Sequence, residues 1–376
     1  MPHKDQVIAA VEASLADFAS FPQLRSGLDA INMYGKLHLL AIGKSAAPMA
    51  SVAVETLRTK GITFDGYLLT KYGYAISPIP GLITLEAGHP LPDANSLKHS
   101  ATILAWLQQL PARDTLVVLL SGGGSALFEV PEDGCTLCDI IELNRKLLGT
   151  GLDIAAMNEA RRKLSKVKGG KALEYVSCGQ IHVFALSDVA GNDPQVIASG
   201  PFTPSSDTDK HVSYHIIGDN YSLRQLVARK LPFSATAIDE YLACSATKAC
   251  TYLAEFAFAD VKPGTFLFGG EAPVKTTGNG RGGRCTHLAL DFAIRIANKP
   301  GISLLCYASD GCDNLEGVAG AYVTGKSFAQ MQSRGLNPES YLRNCDSFTA
   351  LQAIGAVVPS CAARINVNDI YILSRC

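Results

Sequence analysis

The stretch "SGGGS" (121–125) follows a short apolar run, "TLVVLL", and offers three chemistries: a nucleophilic serine, an anion cradle or a tight turn. A nucleophile elbow reads G-x-S-x-G, but Ser125 is followed by Ala126 and Leu127, so that pattern is broken. Glycine adopts backbone conformations closed to other residues and lets amide groups approach a bound anion. The phosphate reading is favoured, with Ser121, Gly122, Gly123, Gly124 and Ser125 as the binding loop.

Other loops carry similar residues. "AIGKSAAPMA" holds Gly43–Lys44–Ser45, the tail of a P-loop, yet the leading glycine of that motif would fall on His38 inside a strand-like run. Lys44 still stands where a strand gives way to a helix, within reach of a phosphate or carboxylate. "GNGRGG" (278–283) fits G-x-G-x-x-G, and its Gly280, Gly282 and Gly283 are candidate cofactor-binding positions. Arg281 inside the loop and Arg284 after it suit a polyphosphate or a transferring phosphoryl group better than a dinucleotide. Asp188, Asp193, Glu271, Asp310 and Asp313 fall on or beside such loops. Carboxylates there suit Mg²⁺, which takes one or two of them plus phosphate oxygens, or a base for an attacking hydroxyl. Asp193 and Asp313 also read as helix N-caps.

These loops need strands to hold them. Apolar runs at 37–43, 66–70, 82–86, 115–121, 181–188, 234–238, 265–271, 302–309 and 369–374 alternate with helical stretches such as 95–110 and 285–298. Their apolar residues are consecutive, which means burial on both faces and predicts a mostly parallel sheet flanked by helices. Ligands then lie beyond the carboxyl ends of the strands, where the unusual residues cluster. At 376 residues two domains are expected, and "GPFTPSSDTDK" (200–210) is the best linker.

Composition narrows the partners. With 47% hydrophobic and 18% charged residues the chain builds sizeable cores, and a net charge of −1 gives no field for nucleic acid or an anionic membrane. No apolar run reaches membrane-spanning length, and the N-terminal stretch reads as an amphipathic helix, so a cytoplasmic location is expected. Eleven cysteines, an odd number without a framework, fit reduced thiols; Cys135 and Cys138 lack the further ligands a zinc site needs.

Six stretches in order carry a family resemblance: "LLSGGGSALFEVPEDG", "NEARRKLSKVKGGKA", "ALSDVAGNDPQVIASGPFTP", "FGGEAPVKTTGNGRGGR", "ASDGCDNLEGVAGAYV" and "INVNDIYILS". With "EAGHPLPDANS" and "IGKSAAPMA", they resemble the class II glycerate kinases, the MOFRL family, over nearly the whole chain. The resemblance implies a larger Rossmann-like α/β/α domain, 1–212, and a smaller α/β MOFRL domain, 213–376. It further implies ATP- and Mg²⁺-dependent phosphorylation of D-glycerate at its 2-hydroxyl, a small-molecule partner, with homodimer formation left open. Lys44, Asp188, Arg281 and Arg284 take catalytic positions, Arg161 and His89 substrate-binding ones, and Asp188, Glu271 and Asp310 metal-binding ones. Whether Asp188 serves as base or metal ligand stays open. Cys285–Thr286–His287 stand where the family has Asn-Gln-Glu, Lys163 where it has His, and residues 221–255 are shortened. These departures bear on the acceptor and nucleotide preference. Two rival readings are an NAD(P)-dependent hydroxypyruvate reductase, resting on "GNGRGG" and Asp310, and a non-catalytic protein binding a phosphorylated metabolite.

Overall fold

A computed structural model describes residues 4–75, 77–150, 154–204, 210–259, 262–361 and 365–376; of the expected linker, 205–209 lie outside the described residues. The chain divides into two compact units, one of Ser20–Asp219 and one of Met1–Ala19 with Asn220–Cys376.

In the first unit β1 (Leu37–Ile42), β2 (Phe64–Lys71), β3 (Ile83–Ala87), β4 (Thr115–Leu120), β5 (Gln180–Leu186) and β6 (His211–Gly218) form one sheet in the order β3-β2-β1-β4-β5-β6. Every neighbouring pair is parallel, which is the Rossmann-like arrangement expected. The run "LHLLAI" of β1 and "TLVVLL" of β4 are buried at every position, because helices cover both faces of a parallel sheet. Ile42, Leu69, Val118 and Leu120 pack with Ile103, Leu104 and Leu107 of the helix Ala94–Leu107 to make much of this core.

The second unit holds β7 (Ala235–Leu242), β8 (Gly264–Gly270), β9 (Ile302–Ala308), β10 (Val318–Thr324), β11 (Val357–Pro359) and β12 (Asp369–Arg375) in the order β11-β10-β9-β12-β8-β7. Only β7 and β8 pair in parallel; the other pairs are antiparallel. The expectation of a mostly parallel sheet is therefore corrected for this half. A continuous apolar run reports burial on two faces, not strand direction, and this sheet is covered twice. Phe268, Leu304 and Tyr371 share a core with the helices Ala246–Phe258 and Arg284–Arg295, while Gly269 backs onto Asn220 and Arg224 of the helix Asn220–Lys230.

The helix Lys4–Phe18 packs on Asn220–Lys230 and so joins the second unit, although the expected partition grouped it with the first. Its buried Val7, Val11 and Leu15 recur at helical spacing, and such a stripe specifies an apolar partner without saying which one. Among the described residues no helix is long and apolar enough to cross a membrane, and all eleven cysteines are free thiols.

Candidate active site

The strand order of the first sheet reverses between β1 and β4, so the loops after these neighbours open a crevice at the carboxyl edge. The two loops are stitched together. Lys44 N donates to Gly122 O at 2.8 Å and Ser45 N to Ser121 Oγ at 3.1 Å. Gly43 has φ 124°, and a Cβ there would lie 2.2 Å from Ser121 Oγ. Ser121 is thus a fully buried hydroxyl that fastens one loop to the other. Gly123, at φ 87°, faces side chains: a Cβ on it would sit 2.9 Å from Lys44 Cγ and 3.2 Å from His89 Cδ2. Lys44, His89 and the 122–123 backbone therefore meet at one point. Burial and then the charges of Lys44 and Lys71 push the His89 imidazole down to about 4, so it is neutral at pH 7. Asp188 is half-buried two residues beyond β5, the strand beside β4.

Ser125 enters a second, continuous set. Its Oγ is 2.8 Å from Ser199 Oγ, and Ser199 Oγ donates to Asn158 Oδ1 at 3.3 Å. Arg161 donates from Nη1 to Asn158 Oδ1 at 3.3 Å and from Nε to Asn144 Oδ1 at 2.8 Å. Ala198 and Ser199 both hold left-handed backbone, φ 51° and 63°, an arrangement that costs free energy and clusters at functional sites. Nearby Glu129 and Lys168 form a buried ion pair, and Ser165 Oγ donates to Glu129 Oε1 at 2.5 Å.

The second unit carries a cavity of about 300 Å³ lined by Glu271, Gly280, Gly282, Gly283, Arg284 and Asp313 among others. Here the strand geometry explains a residue given no role in the sequence reading. β12 runs antiparallel between β8 and β9, so its first residue, Asp369, pairs with Gly270 and Ala308 at the very edge where the loops of β8 and β9 leave. Asp369 is fully buried and accepts a fork of hydrogen bonds from Arg284, Nε at 2.6 Å and Nη2 at 2.9 Å. Glu271 stands 3.8 Å from the same guanidinium. Burial pushes the Asp369 carboxyl up to about 6, with the Arg284 pairing opposing that rise.

The loop 278–283 differs from an amide cradle. Gly280 N donates to Asn344 O, Arg281 N to Asp346 Oδ1 and Gly283 N to Thr286 Oγ1, at 3.0, 2.9 and 2.9 Å. The missing Cβ atoms of Gly280 and Gly283 face Asp346 and the Asp313 carbonyl at 2.3 and 2.1 Å, so these glycines permit close packing inside the protein. Asp313 is not itself an N-cap, a position Gly283 holds; its carboxylate reaches across from a distant loop to accept from Cys285 N and Thr286 N, both at 2.8 Å, and occupies the helix N-terminus. A dinucleotide fingerprint also needs a parallel βαβ unit, and β8 and β9 have antiparallel β12 between them. Arg281 is exposed with its guanidinium 4.7 Å over the Phe348 ring. Asp310 Oδ1 accepts from Cys312 N at 3.0 Å. Among the described residues no three His, Cys, Asp or Glu side chains are grouped to hold a metal.

Asn158, Asp369, Glu129 and Ser199 all lie within the family-like stretches, but nothing in their type or spacing sets them apart from framework residues. Residues 5–231 match a family model described as a domain of unknown function (DUF4147), and residues 264–369 match the MOFRL family. A D-glycerate 2-kinase of Thermotoga maritima is 35% identical, covering 96% of this chain and 95% of its own. A protein of Agrobacterium vitis with a provisional hydroxypyruvate reductase name is 31% identical, covering 89% and 98%. The crystal structure of a glycerate kinase from Thermotoga maritima superposes with a TM-score of 0.86 at 34% identity over 99% of each chain.

Proposed function

The chain belongs to the MOFRL family of glycerate 2-kinases, and from that premise we propose that it transfers the γ-phosphoryl group of ATP to the 2-hydroxyl of D-glycerate. The observation that carries this reading is the meeting of Lys44, His89 and the Gly123 backbone between β1 and β4. Phosphoryl transfer is loose, so the protein contributes positioning and charge stabilisation more than covalent chemistry. Lys44 balances charge gathering on the phosphoryl oxygens. His89, held neutral, offers a hydrogen bond without adding a second cation beside Lys44. Asp188 either takes the proton of the attacking hydroxyl or serves as a metal carboxylate, and Arg281 is an exposed cation on the 278–283 loop of the second unit.

The donor chemistry suits Mg²⁺: the carboxylate of Asp188, or of Glu271 or Asp310, is the hard oxygen donor that ion takes, and phosphate oxygens would complete its shell. When bound, Mg²⁺ neutralises phosphate charge. Arg284, forked onto Asp369, positions Glu271 at the cavity wall.

The test is a coupled assay with ATP, Mg²⁺ and D-glycerate, with the product's phosphorylated carbon identified by NMR. ADP release that depends on D-glycerate, with 2-phospho-D-glycerate as product, is expected. Oxidation of NADH by hydroxypyruvate without such ADP release would replace the reading with the reductase one.

A further inference from the structure

Asn158 is 2% exposed, and its two amide atoms are unequally used. Arginine only donates, so the atom facing Arg161 Nη1 is the oxygen, which also accepts from Ser199 Oγ. The remaining atom, Nδ2, is buried without a hydrogen-bond acceptor among the described residues. A buried donor left without an acceptor is destabilising, so its retention needs an explanation. The surrounding charges supply one. Arg161 and Lys168 bring two positive charges and Glu129 one negative, and Glu129 is already occupied by Lys168 and Ser165. The set carries one surplus positive charge and one vacant N–H donor; with the Ser199 hydroxyl donating to Asn158, the Ser125 hydroxyl donates to Ser199, and this chain fixes the orientation of the amide.

We propose that Asn158 Nδ2 and Arg161, with the Asn158 amide oriented by the Ser125–Ser199 hydroxyl pair, form a subsite for the carboxylate of a small 2-hydroxy monocarboxylic acid, and that Asn158 sets the preference for an acid over its uncharged analogues. A monoanion balances the set, and carboxylate oxygens accept from both the amide and the guanidinium. A phosphate dianion would overcompensate the charge. The left-handed backbone at Ala198 and Ser199 holds the Ser199 hydroxyl against both Ser125 and Asn158. The proposal rests on the kinase reading for the identity of the acid and on geometry alone for the subsite.

Calorimetric binding of D-glycerate and of its uncharged amide, glyceramide, to the full-length protein tests it, alongside kinetics. Asn158→Ala is expected to weaken D-glycerate binding and raise its KM about 10- to 100-fold, the loss of one hydrogen bond to a charged group, with the KM for ATP within twofold of wild type. Asn158→Asp is expected to narrow the preference for D-glycerate over glyceramide at least as far. Should Asn158→Ala fail to fold, Ser199→Gly, which suits the left-handed backbone, is read instead and is expected to shift KM the same way. Unchanged D-glycerate affinity in a variant that melts like wild type overturns the subsite. Equal rises in both KM values with a lowered melting temperature also overturn it, in favour of a structural role. Asn158-dependent binding of D-glycerate without phosphorylation leaves the subsite standing and removes the kinase reading; phosphorylation indifferent to Asn158→Ala does the reverse.

Discussion

Lys44 leaves β1 one residue beyond Gly43, and its backbone is pinned to Gly122, so its ammonium is delivered by two strands rather than by a flexible surface loop. That rigidity suits the charge-stabilising role proposed for it, since a preorganised cation needs no rearrangement as a reaction proceeds. Lys44→Ala is expected to lower kcat/KM by on the order of 10²–10³-fold, about 3–4 kcal/mol of transition-state stabilisation, with little change in melting temperature. An equal drop in thermal stability, or ADP release at the wild-type rate, would contradict it. Asp369 behaves in the opposite way. It is fully buried beneath Arg284, and Asp369→Asn leaves a guanidinium without its forked partner. Breaking such a pair costs about 3–5 kcal/mol when both partners are buried; Arg284 is 28% exposed, which reduces the expected loss to about 2–3 kcal/mol in a urea melt. Lys44 was legible from its junction of strand and helix. Asp369 was not, because its importance comes from β12 entering antiparallel between two strands far away in sequence.

At the scale of elements, nine strands stood out as apolar runs, and β6, β10 and β11 did not. β6 reads "HVSYHIIG" and is an edge strand whose first six positions stay partly or fully exposed, so no continuous apolar run marks it. β10, "VAGAYVT", is buried almost throughout but built of small residues and a glycine whose φ is 158°. The glycine loops were legible as loops, yet their glycines do different things. Gly280 and Gly283 make room for neighbouring backbone, whereas Gly123 makes room for Lys44 and His89. Gly123→Ala is therefore expected to cost stability and activity together. The left-handed backbone alone costs about 1–2 kcal/mol for an alanine, and the added methyl displaces the Lys44 stem. A circular-dichroism melt paired with the ADP-release assay reads both, and a variant active at the wild-type rate would remove Gly123 from the site. The N-terminus of the helix Arg284–Arg295 is the converse case. Asp313→Ala withdraws the acceptor for two amides and is expected to destabilise by about 1–2 kcal/mol in a urea melt, without creating an anion site.

At the scale of the molecule, the two units answer acid differently. In Ser20–Asp219, burial pushes His89 down to about 4 and lowers His182, whose ring stacks on His215. An imidazole whose folded value lies below the ordinary 6.5 contributes stability that is present above pH 6.5 and lost as pH falls toward 4. In the other unit burial raises Asp313, and it raises Asp369 from 3.8 to about 6. A raised carboxyl does the reverse: its contribution is full below pH 3.8 and is lost as pH rises through 6. His287, also lowered by burial, opposes the two carboxyls there. Acidification from pH 7 to 5 is thus expected to weaken Ser20–Asp219 by on the order of 1–2 kcal/mol while Asn220–Cys376 holds nearly constant. Hydrogen exchange, corrected for the intrinsic rate at each pH, reads the two separately: protection should fall in β1, β4 and β5 and persist in β8, β9 and β12. His89→Asn removes the larger titrating group and should flatten the response of the first three strands. Equal loss in both sheets, or an acid response in β1 and β4 that ignores His89→Asn, would show that the neutral imidazole beside Lys44 is not what acid disrupts.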